Sequence, residues 1–222
     1  MFGFLAAIDP ETGLDAGLER TADLVGVFFF AISGGLLAVR KGFELVGVIA
    51  LCLVTALGGG VMRDVVLGAT PPTAFSEVAY MLVPLVAAGI VFVAHQAIES
   101  RFRTPVQLFD AAGLGLFAVT GAVKAAAFDA SAAGAVMIGV ISAVGGGIIR
   151  DVLANDPPHL FHPNSRLYAI PAAIGATVIV VSVRNDFYSG TLALAVAFGI
   201  FAFRVAALKF EWRAPKPLGR TT

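Results

Sequence analysis

Seven long apolar runs divide the chain, and they limit its possible folds more than any other feature. They cover Leu24–Val39, Leu45–Met62, Val78–Ile98, Val106–Phe128, Ala130–Ile149, Leu167–Val183 and Gly190–Leu208, or 134 of the 222 residues. A membrane-crossing helix needs about 20 residues, with a range of about 17–25. Only the first run, at 16 residues, falls short, and Asp23 and Arg40 are placed to snorkel at its ends. Of the 30 charged side chains, three (Asp110, Lys124 and Arg204) lie inside the runs. Seven buried helices of a soluble domain would leave no sequence to cover them. The expected fold is therefore an all-α integral membrane protein with seven transmembrane helices.

Composition supports this. The chain is 58% hydrophobic and 14% charged, with a formal net charge of zero and a mean hydropathy of +0.90. Such values exclude a disordered chain, a nucleic-acid-binding domain driven by basic charge, and an ordinary soluble enzyme. The segment 1–22 lacks a basic n-region and does not read as a secretory signal; it is acidic, with a short interfacial turn expected around Phe2–Ile8. With seven spans, one side carries Arg20, Arg63 and Arg184. The other carries Arg40, Lys41, Arg101, Arg103, Arg150, Arg166, Lys209, Arg213, Lys216 and Arg220. Basic residues mark the cytoplasmic side, so the N-terminus is expected outside and the tail 209–222 in the cytoplasm of a plasma (inner) membrane protein.

A shift of 87 residues aligns the chain with itself. Asp23 falls on Asp110, Phe30-Ala31 on Phe117-Ala118, Gly34 on Gly121, Gly58-Gly59-Gly60 on Gly145-Gly146-Gly147, and Arg63-Asp64-Val65 on Arg150-Asp151-Val152. Residues 23–66 give 14 identities in 44 positions without a gap, and after one residue of slippage Pro71-Pro72 matches Pro157-Pro158. The chain reads as a tandem duplication. Each copy, 23–98 and 106–183, holds three spans. Three is odd, so the second copy should enter from the opposite side of the membrane, with 190–208 as an unpaired seventh helix. Inverted repeats place ion or substrate sites near the midplane, where matching helices are interrupted.

The two glycine triplets are the candidate interruptions. A helical glycine costs about 0.8–1.0 kcal/mol relative to alanine, so three in succession favour a kink or unwinding. Tight helix packing by small residues is the alternative. Thr55 and Ser142 precede the triplets as candidate pathway hydroxyls. Arg63-Asp64 and Arg150-Asp151 follow them as candidate pathway charges, since ionisable residues at membrane depth are functional candidates. The pairs lie at the interfaces if the helices end at Met62 and Ile149, and inside the bilayer if they continue. Neighbours on a helix point about 100° apart, so Arg63 need not pair with Asp64.

Lys124 has Leu37 as its counterpart and breaks the repeat. It shares one helix face with Asp110, Phe117 and Gly121, which suits a gate, a charge sensor or a lipid-headgroup contact; snorkelling to the outer interface near Asp129 is the alternative. Asp23 and Asp110 are also expected to cap the starts of spans one and four, and Arg204 to snorkel at the end of span seven. Asp156, His159 and His162 have metal-ligand spacing, but Pro157, Pro158 and Pro163 oppose the helix that would align them. Cys52, the only cysteine, reads as a small packing residue. No nucleotide-binding loop and no catalytic constellation is visible, so no metal, cofactor or enzymatic activity is expected.

The duplicated GGGxxRD core and the phrase AISGGLLAVRKGFELVGVIALCLVTALGGGVMRDVVLG resemble the prokaryotic trimeric intracellular cation channel family, whose bacterial relatives include proteins described as glycine transporters. The resemblance covers about Asp23 to Leu208. It implies a homotrimer in membrane lipid, with a K⁺-permeable pore in each subunit, bounded by the two repeats and by kinks at Gly58–Gly60 and Gly145–Gly147. By position, Arg63 and Arg150 would flank the path. Lys124 would match the lysine that animal members use for gating or lipid contact, although their Lys-Glu-Val reads Lys124-Ala125-Ala126 here. A passive monovalent cation channel and a secondary transporter of glycine or a similar small solute are the two functions this leaves open.

Overall fold

A computed structural model describes residues 16–101, 104–161 and 167–212. The described chain is helical: α1 (Ala16–Arg40), α2 (Leu45–Val66), the one-turn α3 (Thr73–Ser76), α4 (Val78–Arg101), α5 (Pro105–Ala127), α6 (Ala132–Leu153), α7 (Ala169–Arg184) and α8 (Gly190–Lys209). Six of these are long and apolar enough to cross a membrane, and α7, at 16 residues, is a shorter apolar helix. Ser131 and Ser189 accept backbone N–H bonds from Gly134 and Leu192, so α6 and α8 begin with orthodox N-caps.

The helices α1, α2, α5 and α6 form the centre. α4 packs on α1 and α2, while α7 packs on α5 and α6; α8 then covers α5 and α7. The large apolar side chains of the outer elements face outward, as Leu82, Val86 and Val93 of α4 and Phe198 of α8 do. In lipid such a surface costs nothing, and helices are held together by close packing rather than by apolar burial. The interior is accordingly built from small residues. Phe30 and Phe117, 87 positions apart, meet edge-to-face at 5.1 Å. A Cβ on Gly113 would strike the Phe30 ring, and one on Gly26 would strike Phe117.

α1 begins well before the apolar run that announced it. Glu19, Arg20 and Asp23 stop a hydropathy count, yet they lie within the helix, and Asp23 is buried. Asp23 is therefore neither a snorkelling end residue nor a cap, and Asp110, inside α5, is not a cap either. The expected interfacial turn at Phe2–Ile8, the residues His162, Arg103 and Arg166, and the tail beyond Trp212 lie outside the described residues.

Candidate functional site

The glycine triplets do not interrupt their helices. Helix α2 runs from Leu45 to Val66 and α6 from Ala132 to Leu153, each through its triplet without a break. The physical reason is packing. A Cβ on Gly59 would overlap the carbonyl of Ser142, and one on Gly146 would overlap the carbonyl of Thr55. The two triplets are where α2 and α6 cross backbone to backbone, a contact that only glycine permits. Gly58 and Gly145 sit under Ile149 and Met62 of the opposite helix. Thr55 bonds back to the Leu51 carbonyl at 2.6 Å, whereas the buried Ser142 hydroxyl has no partner in the structure.

Because α2 and α6 continue, both Arg-Asp pairs lie inside helices and are almost fully enclosed, between 1% and 3% exposed. Each pair closes on itself and then reaches across to a second helix. In the first cluster Arg63 donates from Nε to Asp64 Oδ1 at 2.8 Å and from Nη1 to Asp23 Oδ1 at 3.1 Å. Asp23 also accepts from Thr120 Oγ1 at 2.9 Å and Tyr80 Oη at 3.0 Å. Asp64 Oδ2 accepts the backbone N–H of Thr73 at 2.9 Å, which the single turn α3 positions.

The second cluster repeats this plan. Arg150 donates to Asp151 Oδ1 at 2.9 Å and to Asp110 Oδ1 at 2.7 Å. Tyr168 Oη donates to Asp110 at 3.2 Å, Arg150 reaches the Ser33 hydroxyl, and Asp151 Oδ2 accepts the His159 backbone N–H at 2.9 Å. Removing carboxylates and guanidinium groups from water is expensive, and excellent geometry with every polar atom satisfied is what makes it tolerable. Tyr80, Tyr168, Ser33 and Thr120 escaped the sequence reading. A signal existed for the last two, since both are hydroxyl residues one repeat apart; the tyrosines are offset by 88 and were hidden by slippage.

Lys124 completes the first cluster. Its Nζ donates to Asp64 Oδ1 at 2.8 Å and to Thr73 Oγ1 at 3.0 Å, so it does not snorkel toward Asp129. Arg204 does not snorkel either: it is buried, donates to the Leu167 carbonyl at 3.0 Å and stacks over the Tyr168 ring. Of the three residues with metal-ligand spacing, His162 lies outside the described residues. Asp156 pairs with Lys41 at 2.5 Å, His159 turns to Asp151, and the described residues contain no group of three ligands.

The two clusters differ in openness. A small cavity borders the first and is lined by Asp23, Gly60, Arg63, Asp64, Thr73 and Tyr80. A Cβ on Gly60 would meet only Arg63, at 3.7 Å. The equivalent place in the second cluster is filled, because a Cβ on Gly147 would strike the Tyr168 hydroxyl.

Comparisons with known proteins show the family and the fold. The family model described as Glycine transporter matches twice, at residues 20–96 and 107–184. A UPF0126 membrane protein of Vibrio cholerae is 34% identical over 96% of this chain and 88% of its own length. Another, from Deinococcus radiodurans, is 45% identical over 71% of this chain and 73% of its own length. Among solved structures, the trimeric intracellular cation channel orthologue from Rhodobacter sphaeroides is similar with a TM-score of 0.81 and 34% identity, covering 86% of this chain and 97% of that one. The chain is thus a multi-pass membrane protein, and it belongs to the glycine-transporter family, the family of the prokaryotic trimeric intracellular cation channels.

Proposed function

We propose that the protein is a passive monovalent cation channel, permeable to K⁺, assembled as a homotrimer with one pore in each subunit. The observation that carries this reading is the similarity, over 86% of the chain, to a trimeric intracellular cation channel. The site is consistent with it. The path runs along the α2–α6 crossing, past the cavity beside Gly60, between a first cluster around Arg63 and Asp64 and a second around Arg150 and Asp151. Thr55, Ser142 and Asp110 are the polar groups assigned to that path in this reading. Each arginine is neutralised by two carboxylates, which removes the repulsion that a bare guanidinium would exert on a cation. Lys124, pinned to Asp64 beside the cavity, is the gate in this reading.

The two copies, 23–98 and 106–183, form inverted three-helix repeats with α8 as the unpaired helix. The matching ion pairs, Arg63 with Asp23 and Arg150 with Asp110, support that relationship. The basic asymmetry places the N-terminus outside and the tail 209–222 in the cytoplasm of a plasma (inner) membrane.

Planar-bilayer recording of the purified protein tests the proposal. Unitary K⁺ currents that reverse at the Nernst potential are expected. The family model's description favours a second reading, secondary transport of glycine. Saturable glycine uptake without unitary current would establish it and overturn the channel.

A further inference from the structure

The two clusters are not electrically equivalent. In the first, two carboxylates (Asp23, Asp64) face two basic side chains (Arg63, Lys124), giving a formal charge of zero. In the second, Asp110 and Asp151 face one permanent cation, Arg150. Lys124 has no counterpart there, because the matching residue is Leu37. Its place beside the carboxylate is taken by His159, whose own counterpart is Thr73. His159 Nδ1 lies 3.0 Å from Asp151 Oδ2, and its side chain is 34% exposed. The formal charge of this cluster is therefore −1 with a neutral imidazole and zero with an imidazolium.

The surroundings accommodate both states. A neutral ring donates from Nδ1 to Asp151 and accepts at Nε2 from the Gln107 side-chain amide, 3.3 Å away on the first turn of α5. A charged ring donates from both nitrogens, and a half-turn of the same amide presents its oxygen instead. The other charged groups nearby are already matched: Arg150 and Asp110 lie behind Asp151, and Asp156 in the same loop is held by Lys41 from the end of α1. Histidine is the residue type whose charge changes between about pH 5 and 8.

We propose that His159 is a proton sensor at the Asp151 end of the path: its protonation gives Asp151 a second positive partner, the place that Lys124 takes beside Asp64, and thereby weakens cation entry from that side. The neutral state leaves one uncompensated negative charge that concentrates cations at the entrance; the protonated state removes it. This rests on the pathway reading above, but not on whether the traffic is a channel current or coupled transport.

Flux is to be measured while pH is varied only on the His159 side, from about 5.5 to 8. If the protein conducts, the readout is K⁺ current; if it only takes up glycine, the channel proposal fails and the same pH series is run on uptake. Wild-type flux should rise about threefold toward high pH, as expected for one unit charge acting through water on a cation about 6 Å away. His159→Gln, which keeps a donor to Asp151, should be flat at the high-pH level. His159→Lys should be flat at the low-pH level. As a readout independent of flux, the imidazole ¹⁵N shifts of a His95→Gln/His162→Gln protein should show His159 titrating across that range. A His159→Gln variant with the wild-type pH profile, or an imidazole whose shifts do not move, would overturn the proposal.

Discussion

Lys124 Nζ lies 2.8 Å from Asp64 Oδ1, bridging α5 to α2 at a carboxylate that lines the cavity beside Gly60. The lysine is the only charged residue of the first cluster with appreciable exposure, at 14% of its side chain. Its removal leaves Asp64 with Arg63 and the Thr73 N–H. Lys124→Met should therefore cost only about 1–3 kcal/mol of stability, the penalty for one lost charge-assisted partner. Open probability should rise and voltage dependence should change. Single-channel recording paired with a thermal melt checks both, and unchanged gating in a stable variant would remove Lys124 from the gate.

The glycine triplets separate packing from passage. Gly59→Ala or Gly146→Ala forces a methyl into the carbonyl of the opposite helix, and overpacking of this kind costs typically about 1–3 kcal/mol or more. Gly60→Ala meets nothing closer than Arg63 at 3.7 Å. The first two variants should lose thermal stability in detergent, whereas Gly60→Ala should melt at or somewhat above the wild-type temperature, since helical alanine is favoured over glycine by about 0.8–1.0 kcal/mol, but conduct less. A Gly60→Ala variant with full conductance would move the path away from this cavity.

Much of this was legible in the sequence, and the failures share one physical origin. The repeat, the recurrence of Arg-Asp after each triplet and the helical spans all follow from patterns that a linear reading registers, whereas the depth and pairing of those charges do not. Partners were invisible. Asp23 read as a helix cap, and Lys124 and Arg204 as snorkelling side chains, because a charge in an apolar helix has two remedies, reaching for water or finding a counter-ion. Only the three-dimensional crossing of α1, α2 and α5 reveals which one applies. The triplets misled in the same way. A propensity scale counts the cost of Gly59 within its own helix, and not the contact with Ser142 that the missing Cβ permits. Cys52 and Gly35 show the same logic in small: thiol against glycine here, and at the matching positions Gly139 against Ala122, with the larger partner exchanged.

Arg63 and Arg150 each hold two carboxylates from two helices, so they should be intolerant of substitution in a way that Lys cannot rescue. Lysine has neither the planar fork nor the reach to bond Asp23 and Asp64 together. Arg63→Met should destabilise by about 3–5 kcal/mol, the cost of stranding buried charge. The double change Arg63→Met/Asp23→Asn leaves Asp64 paired with Lys124, so no charge is stranded, and it should recover most of that loss. Thermal melts of the two proteins supply the comparison. If both melted alike, the damage would lie in lost packing rather than in uncompensated charge.

The basic asymmetry also makes a prediction that geometry alone does not. Ten basic residues against three should fix a single orientation, with the α1–α2 loop in the cytoplasm and the α7–α8 loop outside. Glu44 and Asn185 are exposed in those two loops, and the native cysteine is buried against Gly35, so Cys52→Ala gives a quiet background. A membrane-impermeant thiol reagent applied to intact cells should label Asn185→Cys and spare Glu44→Cys, which reacts only after lysis. Labelling of Glu44→Cys from outside would invert the orientation. It would then place the His159 cluster, and the pH response attributed to it, on the external face.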